Sequence, residues 1–229
     1  MLVASPARPP HRSLVSLPAS SASSERLSRA EARERTRQRV RQAALELFVE
    51  QGFGVTSVEA IVARAGYTRG AFYSNFADKE ELFLELVMDK LEGHIESATA
   101  VVDRSSPDRL LTDLRAWSQQ QHDPDWVVLL AELRAHALRR PGVRQGLAEH
   151  DRREREAYAI AIDALFDDAG VPPPMAPATL ALIVQALRQS IPVQQLLEPD
   201  VVGEGDLFDM LELITEACVA LSRGRADPS

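Results

Sequence analysis

Five helix stops and starts crowd the segment between Gly52 and Asp78: Gly52, the pair Thr56-Ser57, Gly66, Thr68 and Asp78. Glycine ends a helix because it enters the left-handed conformation at no steric cost. A Ser, Thr or Asp side chain begins one by accepting a hydrogen bond from a first-turn N–H. No long helix or strand fits between marks so close together, so the chain must fold here as short helices on tight turns. Upstream, Val40, Ala44, Leu47 and Phe48 share one helical face, which predicts a first helix from near Ser28 to a cap at Gly52. Thr56 or Ser57 starts the second; Thr56 with Glu59 has capping-box spacing, and Gly66 ends it. Thr68 caps a third helix through Phe76, and Asp78 with Glu81 caps a fourth.

The rest of the chain keeps the helical period. Phe83, Val87, Leu91 and Ile95 stripe a long fourth helix. Ser106-Pro107 opens a fifth carrying Leu110, Leu114 and Trp117, and Asp123-Pro124 opens a sixth carrying Trp126, Leu129, Leu130, Leu133 and Ala137. Pro141 opens a seventh with Tyr158, Ile162, Leu165 and Phe166 on its apolar face. The prolines of 169–177 make a loop. Two more helices follow, with Leu180, Ile183, Val184 and Leu187 on the eighth and Leu207, Leu211, Ile214, Cys218 and Leu221 on the ninth. The reading is all-α, about nine helices, with no period-2 pattern and no repeat.

Physically, the second and third helices with their Gly66-Tyr67-Thr68 turn describe a helix-turn-helix. Phe72 and Phe76 share a buried face, which leaves Arg69, Gly70, Ala71, Tyr73 and Ser74 on the other side. Small residues at 70 and 71 let the helix approach base edges. Arg69 can pair with guanine, and Tyr73 and Lys79 can reach phosphates. Thr56, Ser57 and the free N–H groups of helix two offer a further phosphate clamp.

The stretch GVTSVEAIVARAGYTRGAFYSNFADKEELF resembles the DNA-binding signature of the TetR (tetracycline-repressor) family of bacterial regulators, over roughly residues 36–85. Residues 1–27, rich in Ser, Pro and Ala with little apolar periodicity, read as a disordered leader, and the resemblance implies a helix-turn-helix DNA-binding domain at 28–77 and a ligand-binding and dimerisation domain at 78–224, before a tail (225–229). It implies a homodimer on a palindromic DNA operator, and repression relieved by a small-molecule effector bound among helices four to eight. Base or groove contacts then fall on Arg69, Gly70, Ala71 and Ser74, and phosphate contacts on Ser57, Thr68, Tyr73 and Lys79. Val62 departs from the family's usual alanine, and Pro192 is placed to end or kink helix eight.

Charge supports contact with a polyanion at one end. Residues 1–41 carry nine arginines against three glutamates, a balance of +6, so the remainder carries −14 of the total −8. Arg33, Arg35, Arg37, Arg39 and Arg41 can lie along phosphate or stay solvated. Helices eight and nine are apolar over more than one stripe. Either they form the monomer's own core or a second copy covers them, giving a two-fold four-helix interface.

Other functions find less support. His94, His122, His136 and His150 lack metal-ligand spacing, the single Cys218 has no partner, and no cofactor motif is present, so neither metal nor cofactor is expected. Trp117, Trp126 and the i, i+4 pair Glu132 and His136 are the candidate pocket wall. The run DRREREAY (151–158) reads as a solvated face, because its charges alternate. No apolar run is long enough to span a membrane, and no secretory signal precedes the first helix, so a cytoplasmic, nucleoid-associated protein is expected. The alternative is a helical enzyme or binding module whose helix-turn-helix merely packs; such a motif would not need the Arg69–Ser74 face with Lys79.

Overall fold

The computed structural model describes residues 29–226, and among these every regular element is helical. In chain order they are α1 (Arg29–Gln51), α2 (Val58–Ala65), α3 (Arg69–Tyr73) and α4 (Lys79–Arg104). A 3₁₀ turn (Pro107–Arg109) leads into α5 (Leu110–Gln120), followed by α6 (Pro124–Ala137), α7 (Pro141–Asp168), α8 (Pro177–Leu197) and α9 (Asp206–Ala226). The leader expected at 1–27 lies outside the described residues. Of the expected tail at 225–229, Arg225 and Ala226 are the last residues of α9, with Arg225 Nη1 donating to the Pro174 carbonyl at 3.0 Å, and 227–229 lie outside the described residues.

Cap chemistry sets the helix ends. Ser57 Oγ accepts from Ala60 N, Thr68 Oγ1 from Ala71 N, Asp78 from Glu81 N and Asp123 from Trp126 N. Gly52 and Gly66 close α1 and α2 at φ of +86° and +76°. Thr56 is not the cap that its spacing with Glu59 allowed. It is buried, and its hydroxyl donates backwards to the Gly52 carbonyl at 2.7 Å, closing the α1–α2 turn. Helix α3 is three residues shorter than expected, because Asn75 Nδ2 and Ser74 Oγ both donate to the Ala71 carbonyl and turn the chain.

The core begins among the first helices and continues without a gap into α6 and α7. Phe48, Phe72, Phe76, Phe83, Ile61 and Leu82 are sealed from solvent and share one cluster with Leu91, Trp126, Leu129, Leu133 and Leu147. Phe53 stacks on Phe83 at 4.4 Å, and Phe48 meets Phe83 edge-on at 5.3 Å. Helices α7 and α8 pack along their length, while a separate small cluster of Ile191, Leu207 and Phe208 joins α8 to α9.

Two readings change at this level. The 151–158 run is not a solvated face. Glu154 is 5% exposed, bonded by Gln185 Nε2 at 2.8 Å and paired with Arg188 from α8, while Asp151 pairs with Arg134 of α6. Charges that alternate along one helix find partners on its neighbours. Pro192, expected to end or kink α8, does not end it: the helix continues to Leu197. Its missing N–H denies the Arg188 carbonyl its usual i+4 donor.

Candidate nucleic-acid interface and ligand cavity

The three-residue turn between α2 and α3 leaves one outer surface made of two helix starts. Ser57 and Thr68, each capping its helix, are exposed, as are Arg69, Gly70, Tyr73 and Ser74; Ala71 is half-buried. Phe72 and Phe76, buried beneath, fix the roll of α3 so that this face points outward. Arg69 is held by Glu59 at 2.9 Å and lies 5.9 Å from the Tyr73 ring centre. Both partners of that ion pair are more than half exposed, so water screens it and it yields readily to a stronger acceptor.

Lys79 belongs to a different set. Its ammonium donates to the carbonyls of Phe53 and Thr56, each at 2.6 Å, and lies 4.4 Å from the Phe53 ring centre. Burial pushes its pKa below the usual lysine value, against the pull of the Glu132 carboxylate. The ammonium thus clamps the α1–α2 turn to the start of α4. A phosphate contact would have to draw it off these carbonyls.

The arginines of α1 divide by helix face. Arg33 Nη2 donates to the Ser74 carbonyl at 2.7 Å, Arg37 Nη1 to the Asn75 carbonyl at 2.9 Å, and Arg41 pairs with Asp89 at 2.6 Å and with Glu85. They bind the end of α3 and the first turns of α4. Arg35 and Arg39, on the other face, are exposed.

The four residues expected to wall a pocket separate into two places. Trp117 and Trp126 line a cavity of about 350 Å³ between α5, α6 and α8. Glu132 and His136 do not: they face the head. Glu132 Oε2 accepts from Phe53 N at 2.8 Å, and His136 Nε2 lies 3.1 Å from Glu80 on α4 with its ring against Phe53. A Cβ at Gly52 would stand 2.7 Å from Glu132 Oε1, so both the left-handed backbone and the close carboxylate demand glycine there. Their i, i+4 spacing announced a shared face but not its neighbour.

Helix periodicity alone did not single out His94, Arg188 or Gln189, which also border cavity space. A second cavity, of about 300 Å³ and mostly apolar, adjoins the first; both are lined by His94, Trp117 and Arg188. Burial, aided by nearby Lys90 and Arg188, depresses the pKa of His94 below the ordinary imidazole value, so it is neutral here.

Residues 40–86 match the family model for bacterial regulatory proteins of the tetR family. The regulator AcrR of Shigella flexneri is 48% identical over 61 residues, 27% of this chain and 28% of that protein. The repressor AcnR of Corynebacterium efficiens is 25% identical over 127 residues, 56% of this chain and 64% of that protein. The chain thus spans less than two thirds of the length of these curated relatives. Among solved structures, a transcriptional regulator from Saccharomonospora viridis in complex with choline superposes with a TM-score of 0.68. It is 16% identical, and the match covers 80% of this chain and 96% of that one, a likeness of fold. From within α1 to the first turns of α4, the helix-turn-helix region of this all-helical chain thus belongs to the tetR family of bacterial regulatory proteins.

Proposed function

We propose that the chain is a transcriptional regulator, not an enzyme, and most simply a repressor that grips a palindromic operator as a homodimer until a small molecule releases it. The observation that carries the reading is the outward face of two capped helix starts, with Ser57, Thr68, Arg69, Tyr73 and Ser74 unburied above a sealed aromatic floor. Helix starts and hydroxyls favour phosphate, and Arg69 on a short helix with Gly70 beside it favours a base edge. The exposed Arg35 and Arg39 extend the basic surface. A packing motif would have no need of that face. Such a regulator works beside DNA in the cytoplasm, and none of the described helices is long and apolar enough to cross a membrane.

The homodimer reading rests on α8 and α9. Leu182, Ile183, Met210, Leu213 and Leu221 stand exposed on these two helices, a surface that a second copy would cover isologously. Release by a small molecule rests on the cavities and on α4, which runs unbroken from the head to their wall. A ligand that favours one α4 angle shifts the spacing of two reading heads away from groove spacing. The domain boundary near residue 78 is proposed on the same division of labour.

The deciding experiment is selection of DNA from a random pool by the full chain, followed by gel shift at stated salt. A palindromic consensus is expected, with Arg69→Ala relaxing the preference at one base position per half-site. Recovery of no preferred sequence would sink the reading.

A further inference from the structure

We propose that the molecule held in the two adjoining cavities is a monoanionic amphiphile, a carboxylate-type head on an apolar body. The inference rests on reading the cavities as the effector site. It starts from what each compartment is made of. The smaller one is walled by Leu110, Leu114, Ile162, Leu165, Val184 and Leu211, which suit hydrocarbon. The larger carries the polar groups, and His94, Trp117 and Arg188 stand on both walls.

The polar groups left without partners are donors. Trp117 Nε1 and Arg188 Nε are buried with no acceptor, and the Gln189 amide nitrogen is a third. An indole and a guanidinium can only donate, so only an acceptor completes them. A buried donor left unmade is costly, and native structures seldom keep several in one place.

Charge points the same way. The cluster behind this wall sets Arg134, Arg155 and Arg188 against Asp151 and Glu154. Arg134 meets Asp151 at 3.2 Å, Arg188 pairs with Glu154, and Arg155 donates to Gln185 Oε1 at 2.7 Å. One cation is in excess, and in a partly dry setting it favours an incoming anion. The other lining carboxylates do not cancel it. Asp123 is bound by Lys90 at 2.6 Å, and Asp103 and Glu204 are exposed to solvent. Two of the lining aromatic faces are already taken by cations of the chain itself. Trp126 already carries Lys90 Nζ at 4.6 Å from its ring centre, and Phe208 carries Arg115 at 5.8 Å.

The test compares one hydrocarbon tail with three heads: decanoate, decanol and decyltrimethylammonium, titrated calorimetrically into the full chain below their micellar concentrations. Decanoate should bind about tenfold or more tightly than either of the others, since only it pairs with charged and neutral donors together. Trp117→Phe keeps the ring and deletes the N–H. It should weaken decanoate by roughly threefold to tenfold and decanol by less, since a hydroxyl is the weaker acceptor. Arg188→Ala would strand Glu154 and endanger the fold, so the tryptophan variant carries the test. Equal affinity for all three heads, preference for the ammonium, or no decanoate binding overturns the proposal. The regulator reading stands or falls separately on DNA selection. A chain that selects an operator but ignores decanoate loses only the ligand class, and one that binds decanoate but no DNA keeps the site and loses the regulator.

Discussion

In the head, Phe48, Phe72, Phe76 and Phe83 are at most 2% exposed, and the starts of α2, α3 and α4 are each capped by a side chain. In the body, Trp117 Nε1 and Arg188 Nε lie buried without acceptors, two cavities open between the helices, and Leu213 and Leu221 stand in solvent. One region is tightly packed and capped; the other keeps cavities inside and apolar side chains on one outer face. A reading head must present fixed donors to a rigid duplex, and a packed aromatic floor with capped helix starts provides that. The ligand and second copy proposed for the body would instead need surface left unmatched until they arrive.

The contrast can be broken by truncation. Phe72→Ala in the head should cost about 3–5 kcal/mol, whereas Leu165→Ala, which already borders empty space, should cost about 1–2 kcal/mol. Equal costs in urea unfolding would erase the distinction. Next come the clamps between the regions. Lys79→Met or Glu132→Ala should each lower stability by about 1–2 kcal/mol, since each leaves half-buried turn groups unpaired. For Lys79→Met, the salt dependence of DNA affinity should keep its slope. A slope smaller by about one would place the ammonium on phosphate instead. Smaller still, Ser57→Ala should cost about 1 kcal/mol as a lost cap, and it should weaken DNA binding beyond that loss if the hydroxyl meets phosphate.

The smallest effect concerns pH and the body alone. His94 has its folded pKa depressed by burial, so the stability it contributes is complete above the ordinary value near 6.5. That contribution is lost as pH falls from there towards the depressed folded value. The melting temperature of the parent should therefore drop more between pH 7.5 and 5.5 than that of His94→Gln, read by circular dichroism. Identical drops would mean that His94 sits in water rather than between the cavities.

How much of this was legible in residues depended on distance along the chain. Caps and glycine stops act over three or four residues, so Ser57, Thr68, Asp78, Asp123, Gly52 and Gly66 marked helix ends correctly. Thr56 and Ser57 carry the same chemistry, and only the α1–α2 turn decides which one is buried. The outward face of α3 followed from Phe72 and Phe76. The partners of Lys79, Glu132 and Glu154 did not follow, because each sits on a distant turn or helix, up to 79 residues away for Glu132 and Phe53. The two tryptophans reached the cavity, while Arg188 went unnoticed since an arginine on an apolar helix resembles any solvated charge until its neighbours are placed.

The Gly52–Phe53 turn, which accepts Glu132 from α6 and Lys79 from α4, bears on how this protein could be rebuilt. A chimera cut at residue 78, with this head on a borrowed body, would leave the Phe53 amide facing whatever the new sixth helix offers. Transplanting the head therefore means carrying position 132 with it. By the same logic, drift at 132 in a duplicated copy of this chain would loosen the helix-turn-helix from a helix outside its outward face.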